Sequence, residues 1–236
     1  MEKLHPELPP AGNHEDLLPG KFGRRKFLSY CGLAASVATI SACKKDNDNN
    51  NMPPAGSIDL GSGDIGILNY AYALEQLEAA FYTQVVASPY SGITAGELAL
   101  LTDIRDHEVA HREFFKAALG TKAIVSLEVN FSAVNFGSRD SVLGTAKAFE
   151  DLGVSAYNGA GQLITDPAYL LLAGKIVSVE ARHAAYIRDL ISNGSFADST
   201  VINANGLDLA NKPADVLMAA KPFLKSVLYA GNLPMV

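Results

Sequence analysis

The sequence predicts an all-α protein: a four-helix bundle with a long crossover between its second and third helices and a C-terminal helical extension. Three observations support this prediction. Four segments carry apolar residues at helical spacing. Short connections join the first segment to the second and the third to the fourth. About 20 residues, 120–139, separate the two pairs.

The first pair of helices has recognisable ends. The first predicted helix covers roughly 64–87 and stops at "SPYSG". The second begins at Thr94, which forms a Thr-x-x-Glu capping box with Glu97, and closes near Gly120. The connection of about seven residues between them is typical of an antiparallel helix hairpin.

The second pair is built in the same way. The third predicted helix covers roughly 140–158. The fourth begins with Asp166 as N-cap and Pro167 at the first helical position, and it ends before "SNG" at 192–194. About eight residues connect these two helices, so they are predicted to form a second hairpin.

The connection between the hairpins determines the predicted topology. A helix of about 24 residues is roughly 36 Å long, whereas 20 extended residues reach about 66 Å. The segment 120–139, which contains the alternating "VSLEVNF", is therefore long enough to run the full length of the bundle. The third helix would then start beside the start of the second, as in bundles with one long crossover.

The C-terminal residues are predicted to form an extension of the bundle, which itself covers 63–192. Residues 193–236 contain a loop and then "KPADVLMAAKPFLKSVL", a helical segment interrupted at Pro222. Its apolar residues are expected to cover one end or one side of the bundle. No motif with catalytic chemistry is present in this segment.

The N-terminal residues are predicted to be an export signal, 1–43. Arg24 and Arg25 precede a mild apolar run that is too short for a membrane span. "RRKFL" resembles the twin-arginine translocation motif, and "ISAC" resembles a lipobox in which Cys43 is lipidated. An ordinary signal peptide with a chance cysteine is the alternative. Residues 44–62, rich in Asn, Asp, Pro and Gly, are predicted to be a flexible tether to a lipid anchor in the cell envelope.

Composition narrows the classes of partner. The chain has two cysteines, Cys31 and Cys43, so a chain that begins at Cys43 is expected to hold no disulfide. The full chain of 236 residues has a formal net charge of −6, and no basic patch interleaved with aromatic residues is present. We therefore expect no nucleic-acid partner, and membrane contact only through the lipid. The sequence leaves a homo-oligomer open.

Two Glu-x-x-His pairs lie at the centres of apolar helical stripes. Glu108 and His111 belong to the second helix, and Glu180 and His183 to the fourth. A third pair, Glu2/His5, lies in the predicted export signal. The flanking residues match in register, which a chance pair of solvated helix residues would not explain. The second-helix stripe contains Leu101, Ile104, Phe115 and Ala118, and the fourth-helix stripe contains Ala173, Ile176, Ile187 and Leu190.

The first and third helices repeat a second pattern. Each carries a Glu on its apolar stripe and a Tyr seven residues later, Glu75 with Tyr82 and Glu150 with Tyr157. The chain therefore reads as a degenerate hairpin repeat, Glu-x6-Tyr followed by Glu-x-x-His, present twice.

Six of these side chains are predicted to converge inside the bundle. Four carboxylates and two neutral imidazoles balance the charge of two divalent cations, and without metal the carboxylates would repel one another. Such ligands are typical of iron or manganese and less specifically of zinc, with ions about 3.5–4 Å apart. The predicted ligands are Glu75, Glu108, His111, Glu150, Glu180 and His183.

The segments "YALEQLEAAFY", "DHEVAHREFF", "FEDLGVSAYNGA" and "VSVEARHAAYI" resemble the exported ferritin-like domain family, some of whose members are desiccation-associated. The resemblance implies a ferritin-like four-helix bundle with two iron or manganese ions per chain. It also implies that Tyr82 and Tyr157, the candidate catalytic residues, each hydrogen-bond a ligand carboxylate from the facing helix. The alternative for both is an ordinary core aromatic.

Nearby polar residues have other predicted roles. Glu78 competes with Glu75 for the ligand position on the first helix, although the Glu-x6-Tyr repeat favours Glu75; the alternative for Glu78 is an exposed or supporting residue. His107, Glu113 and Asp151 are predicted to be surface residues.

Three functions follow as hypotheses. The first is a dinuclear redox protein that reacts with oxygen or peroxide in oxidative or desiccation stress. The second is a non-enzymatic envelope module in which metal is structural or vestigial. Iron storage in a closed cage is less favoured because a lipid anchor and tether do not suit a shell. The sequence does not identify the metal, the substrate or the electron donor.

Overall fold

The computed structural model describes residues 52–235. It confirms an all-α fold. Five α-helices carry the chain, two short strands pair in parallel near its ends, and single 3-10 turns follow the second and fifth helices. The elements are β1 (Ile58–Asp59), α1 (Gly63–Ala87), α2 (Ala95–Leu119), α3 (Arg139–Gly161), α4 (Pro167–Ile191), α5 (Pro213–Ala220) and β2 (Leu228–Tyr229).

The predicted helix starts are those that the structure shows. The Thr94 side chain accepts a hydrogen bond from the Glu97 backbone, and the Glu97 carboxylate accepts one from the Thr94 backbone, which completes the capping box. At α4 the Asp166 carboxylate accepts from the backbone N–H of Ala168, and Pro167 occupies the first helical position. Local sequence is enough to set these ends because each cap is made by residues three or fewer apart.

The crossover runs along the bundle, as its length predicted, and it does so beside α1. Near the start of α1, Asn69 donates to the Lys122 carbonyl and accepts from the Ile124 backbone. Two turns later, Gln76 accepts from the Leu127 backbone at 2.8 Å. The crossover therefore travels from the end of α2 back toward its start.

The ends of the helices confirm the direction of each one. Arg139 at the start of α3 donates to the Glu97 carboxylate at the start of α2, with Nη2 to Oε1 at 2.6 Å. Asp64 at the start of α1 accepts from the backbone of Thr165 and Asp166, directly before α4. So α2 and α3 begin at one end of the bundle, and α1 and α4 begin at the other.

Helix α1 is the centre of the core. Residues 66–79 are all buried because α2, α3 and the crossover cover it on several sides. Phe81 packs edge-on against Phe131 of the crossover and Phe149 of α3. A helix covered all round is apolar all round apart from its functional side chains, so its polar residues need partners.

The C-terminal extension closes the side of the bundle, as predicted. Val216 and Ala220 of α5 are fully buried, and Pro222 lies in the 3-10 turn that follows the helix. The Asn130 backbone of the crossover donates to the Phe223 carbonyl at 2.7 Å. The extension thus holds the crossover against the core.

The start of the described chain corrects the predicted tether, 44–62. Its last residues belong to the fold: Ile58–Asp59 pairs with Leu228–Tyr229, and Leu60 is fully buried in the core. The burial of Leu60 and the pairing with a strand far along the chain hold these residues in the fold, although the residues around them are polar. The predicted export signal, with Arg24, Arg25 and Cys43, lies outside the described residues. Within 52–235, no helix has the length and apolar character needed to cross a membrane.

Candidate metal centre

The four predicted glutamates lie at the middle of the four long helices. Glu75 and Glu150 are the central residues of α1 and α3, and Glu108 and Glu180 lie one residue past the centres of α2 and α4. All four are 0% exposed. Because each helix pair is antiparallel, the middles of all four helices share one level of the bundle, which brings the side chains together.

The six predicted ligands form two overlapping groups. In each group one atom per residue lies within 4.8 Å of the others. Glu108 and Glu180 belong to both groups, whereas each of the other four residues belongs to one. One group is Glu75, Glu108, His111 and Glu180, and the other is Glu108, Glu150, Glu180 and His183.

Each histidine presents its Nδ1 atom to the carboxylates of other helices. His111 Nδ1 lies 2.8 Å from Glu180 Oε1 and 3.5 Å from Glu75 Oε2. His183 Nδ1 lies 2.9 Å from Glu108 Oε1 and 3.5 Å from Glu150 Oε2. The two halves therefore make corresponding contacts, as expected for a repeated hairpin.

The atoms that face the centre are buried and have no hydrogen-bond partner among the described residues. Their nearest approaches to one another are the two His–Glu contacts at 2.8 and 2.9 Å. Buried polar atoms are rarely left in this state, and a shared cation would satisfy all of them. These atoms are Glu75 Oε2, both oxygens of Glu108 and of Glu180, Glu150 Oε2, and Nδ1 of His111 and His183.

Two tyrosines fix the outer carboxylates reciprocally. Tyr82 of α1 donates to Glu150 Oε1 of α3 at 2.5 Å, and Tyr157 of α3 donates to Glu75 Oε1 of α1. Both hydroxyls are buried. One oxygen of each outer carboxylate is therefore held by a hydroxyl, and the second is left to face the centre.

Residues 63–193 match the ferritin-like domain family, over more than half of the chain. The chain belongs to this family. No curated protein matches the chain. The matched range begins at the first residue of α1 and ends two residues after α4, so the ferritin-like domain is the four-helix bundle that carries the six side chains.

In this ferritin-like domain the histidines are held in the charged form. Burial disfavours the charge on His111, but the carboxylates of Glu108, Glu180 and Glu75 outweigh burial and raise its pKa to about 12. Burial likewise opposes the charge on His183, and Glu108, Glu150 and Glu180 raise its pKa to about 12. Each of the two imidazoles thus carries an additional proton, and its positive charge partly balances the carboxylates.

The carboxylates respond to burial and to one another. Burial, with the neighbouring Glu180 charge, raises the pKa of Glu75 and raises that of Glu108 far above its usual range. Burial also raises the pKa of Glu150 to about 7. At Glu180 burial acts in the same direction, but His111 and His183 outweigh it and lower the pKa. Without cations, the cluster favours bound protons over a full set of negative charges.

His107 is exposed, as predicted, but it is not merely a solvated residue. Its ring lies parallel to that of His183, and its Nδ1 is 2.9 Å from His183 Nε2. His107 precedes His111 by four residues, and such residues are neighbours on a helix surface. This spacing could have indicated that His107 lies near the centre. The contact with His183 of α4 could not be predicted from the sequence.

Two further residues differ from the sequence interpretation. Glu78 is only 4% exposed, so the exposed alternative is wrong, and it belongs to neither group of candidate ligands, whereas Glu75 belongs to the first. Asp151 is partly buried and pairs with the fully buried Arg188, Nη1 to Oδ2 at 2.7 Å. Glu113, as predicted, is exposed and pairs with Arg112. The partner of Asp151 lies 37 residues away, so no local pattern predicts the pair.

Proposed function

We propose that this ferritin-like domain binds a dinuclear iron or manganese centre and that the centre reacts with oxygen or peroxide. The observation that carries the proposal is the convergence of eight buried ligand atoms, from four carboxylates and two imidazoles, at the centre of the bundle. Burying four carboxylates together is costly unless protons or cations compensate their charge. A protein retains them at one level of four helices when a bound cation compensates the cost.

The donor set suits this kind of ion. Carboxylate oxygens and imidazole nitrogens are typical ligands of iron and manganese, and the thiolates that select softer metals are absent from the described residues. Glu75 with His111 would hold one ion, and Glu150 with His183 would hold the other. Glu108 and Glu180, which belong to both groups, would help to hold each ion. When bound, such a pair of ions supplies redox chemistry that amino-acid side chains lack.

The chain's own residues would control the surroundings of the centre. Tyr82 and Tyr157 orient the outer carboxylates by donating to one oxygen of each. The apolar residues of the core exclude water on the α1 and α3 side. His111 has the most exposed side chain among the charged neighbours at the centre, 14% against 5% for His183. A small oxidant would therefore approach along the face of α2 and α4.

The wider proposal includes the cellular setting. The twin-arginine motif, the lipobox at Cys43 and the family resemblance support an exported protein, lipid-anchored in the cell envelope, that acts in oxidative or desiccation stress. A structural module, in which metal only fixes the bundle, is the second candidate because a buried metal site also stabilises four helices. Iron storage is less favoured, since an anchored chain does not suit a closed shell.

Elemental analysis of the full-length chain tests the centre. We expect about two iron or manganese ions per chain in the wild type and fewer than one in a Glu108→Ala/Glu180→Ala variant, because both carboxylates that belong to the two groups are removed. Glu113→Ala, which removes an exposed carboxylate of α2 and one side of an ion pair with Arg112, serves as the control and should retain both ions.

Two results would decide against the proposal. A folded wild type that takes up neither iron nor manganese when both are supplied contradicts metal binding. A wild type with two ions per chain that consumes neither oxygen nor peroxide, while metal raises its unfolding temperature, supports the structural module instead.

A further inference from the structure

Glu78 is a fifth buried glutamate beside the centre, and the function proposed above leaves it without a role. It lies three residues after Glu75 on α1 and is 4% exposed. In the repeated pattern, the residue three after Glu150 on α3 is Gly153. The two halves therefore match in ligand, tyrosine and imidazole, but they differ at this position.

Glu78 and Gly153, which occupy this position in the two halves, face each other. A Cβ atom at Gly153 would lie 3.1 Å from Glu78 Oε1, which is tighter than an ordinary van der Waals contact. The reciprocal bonds from Tyr82 to Glu150 and from Tyr157 to Glu75 relate α1 and α3 by an approximate two-fold axis. Equivalent residues that meet must lie close to that axis. The missing side chain of Gly153 thus leaves space for the Glu78 carboxyl group between the two halves.

The electrostatics agree with a central position. After burial, the charges of Glu108, Glu180, Glu150 and Glu75 raise the pKa of Glu78, in that order. The first two are the residues shared by both groups, and the last two belong to one group each. Carboxylates of both groups thus act on Glu78, in agreement with its place beside Gly153 between the two halves.

We propose that Glu78 is an additional carboxylate of the dinuclear centre, accommodated by Gly153, that favours cations of higher charge. The proposal deepens the metal-binding function above and rests on it. Four carboxylates balance two divalent ions. Glu78 keeps its proton while the other carboxylates are uncompensated, and it adds a fifth negative charge when bound cations take the place of that proton. Charges interact strongly in a buried site, so the fifth carboxylate strengthens the binding of a trivalent ion more than that of a divalent one.

Competition between a trivalent and a divalent ion tests this selectivity without any measurement of activity. The full-length chain is titrated with Tb³⁺ and, separately, with Mn²⁺. Tb³⁺ luminescence is sensitised through the tyrosines, since the chain contains no tryptophan. We expect Glu78→Gln to weaken Tb³⁺ binding about 10-fold or more, a typical effect of a lost supporting group at a metal site, and Mn²⁺ binding about threefold or less. Glu128→Gln, which removes an exposed carboxylate of the crossover, should change neither affinity.

Gly153→Ala provides a second variant that keeps the carboxylate. The added Cβ displaces the Glu78 carboxyl group from its present place, so the preference for Tb³⁺ over Mn²⁺ should fall in the same direction as in Glu78→Gln. Thermal unfolding of both variants establishes that they are folded, and Gly153→Ala carries the test if Glu78→Gln does not fold.

The outcomes separate the two proposals. Equal losses of Tb³⁺ and Mn²⁺ affinity, or unchanged affinities in both variants, overturn the role of Glu78 and leave the dinuclear centre intact. A folded wild type that binds neither ion overturns both proposals.

Discussion

The Nδ1 atom of His107 lies 2.9 Å from the Nε2 atom of His183, and the two rings are nearly coplanar, with an interplanar angle of 8°. The contact joins α2 to α4 on the more open face of the bundle. In the metal-bound protein His183 would be neutral, and donation of its Nε2 proton to His107 would leave its Nδ1 lone pair directed to the carboxylate cluster. An outer hydrogen-bond partner of this kind orients a metal-binding imidazole. The equivalent position before Glu180 is Val179, so only one imidazole is held in this way.

Replacing His107 should weaken one of the two metal sites. We expect His107→Phe to reduce the affinity for one Mn²⁺ ion about 10-fold and to leave the other nearly unchanged, because His111 does not use this partner. Calorimetric titration resolves the two binding steps. His107→Gln, which keeps a hydrogen-bond acceptor, should retain most of the affinity. Two unaltered sites in the Phe variant would show that the contact has no positioning role.

Each tyrosine bond should contribute to stability. Tyr82→Phe leaves a buried oxygen of Glu150 without its donor, so we expect the free energy of unfolding to fall by about 1–3 kcal/mol, and Tyr157→Phe should act similarly at Glu75. Tyr70→Phe is the matched control because the buried Tyr70 hydroxyl has no partner among the described residues. Denaturant unfolding measures all three. A loss in the control as large as in the other two would mean that the bonds themselves contribute little.

The metal-free protein should lose stability as the pH rises from about 5 to 9. Burial raises the pKa of Glu150 from 4.5 to about 7, so the native state keeps a proton that the unfolded chain has released. Neighbouring carboxylates raise the pKa of His111 and His183 from 6.5 to about 12, with the same consequence above pH 6.5. Stability rises with pH only where the unfolded state binds more protons, so these groups lower it throughout this window.

The lowered pKa of Glu180 has the opposite effect on stability, but this effect appears only as the pH falls below the unfolded pKa of 4.5. Thermal unfolding after chelation, at about pH 5, 7 and 9, measures the effect. A variant with His111→Gln and His183→Gln should lose most of the decline between pH 7 and 9. An unfolding temperature that increases across the window in the wild type would contradict the assignment of protons to the cluster.

Two glycines of α3 should respond to alanine in opposite ways. A Cβ atom at Gly159 would lie 1.8 Å from the Asn211 carbonyl oxygen, so the C-terminal loop must move away from the helix. We expect Gly159→Ala to cost about 2 kcal/mol or more. Gly144 is exposed and has no atom within 4 Å of the added Cβ, so Gly144→Ala should stabilise the protein by about 0.5–1 kcal/mol through helix propensity. Equal effects in denaturant unfolding would contradict the close approach at Gly159.

Much of the fold could be predicted because its signals are local. The caps at Thr94 and Asp166 involve residues close in sequence, and the apolar spacing of each long helix is set within that helix. The path of the crossover could be predicted from the length of that segment alone. The six clustered side chains were found because the hairpin pattern occurs twice in one register, which a single Glu-x-x-His pair could not have established.

The sequence by itself determined the helices, their order and the residues that face the centre, since periodicity and capping depend on near neighbours. Only the tertiary structure decided the partner of His107, the burial of Glu78 against Gly153, the pairing of Asp151 with Arg188 and the inclusion of Leu60 in the core. Each of these depends on which helix faces meet and at what level. Such contacts join residues tens of positions apart, and their energies exist only once the chain is packed.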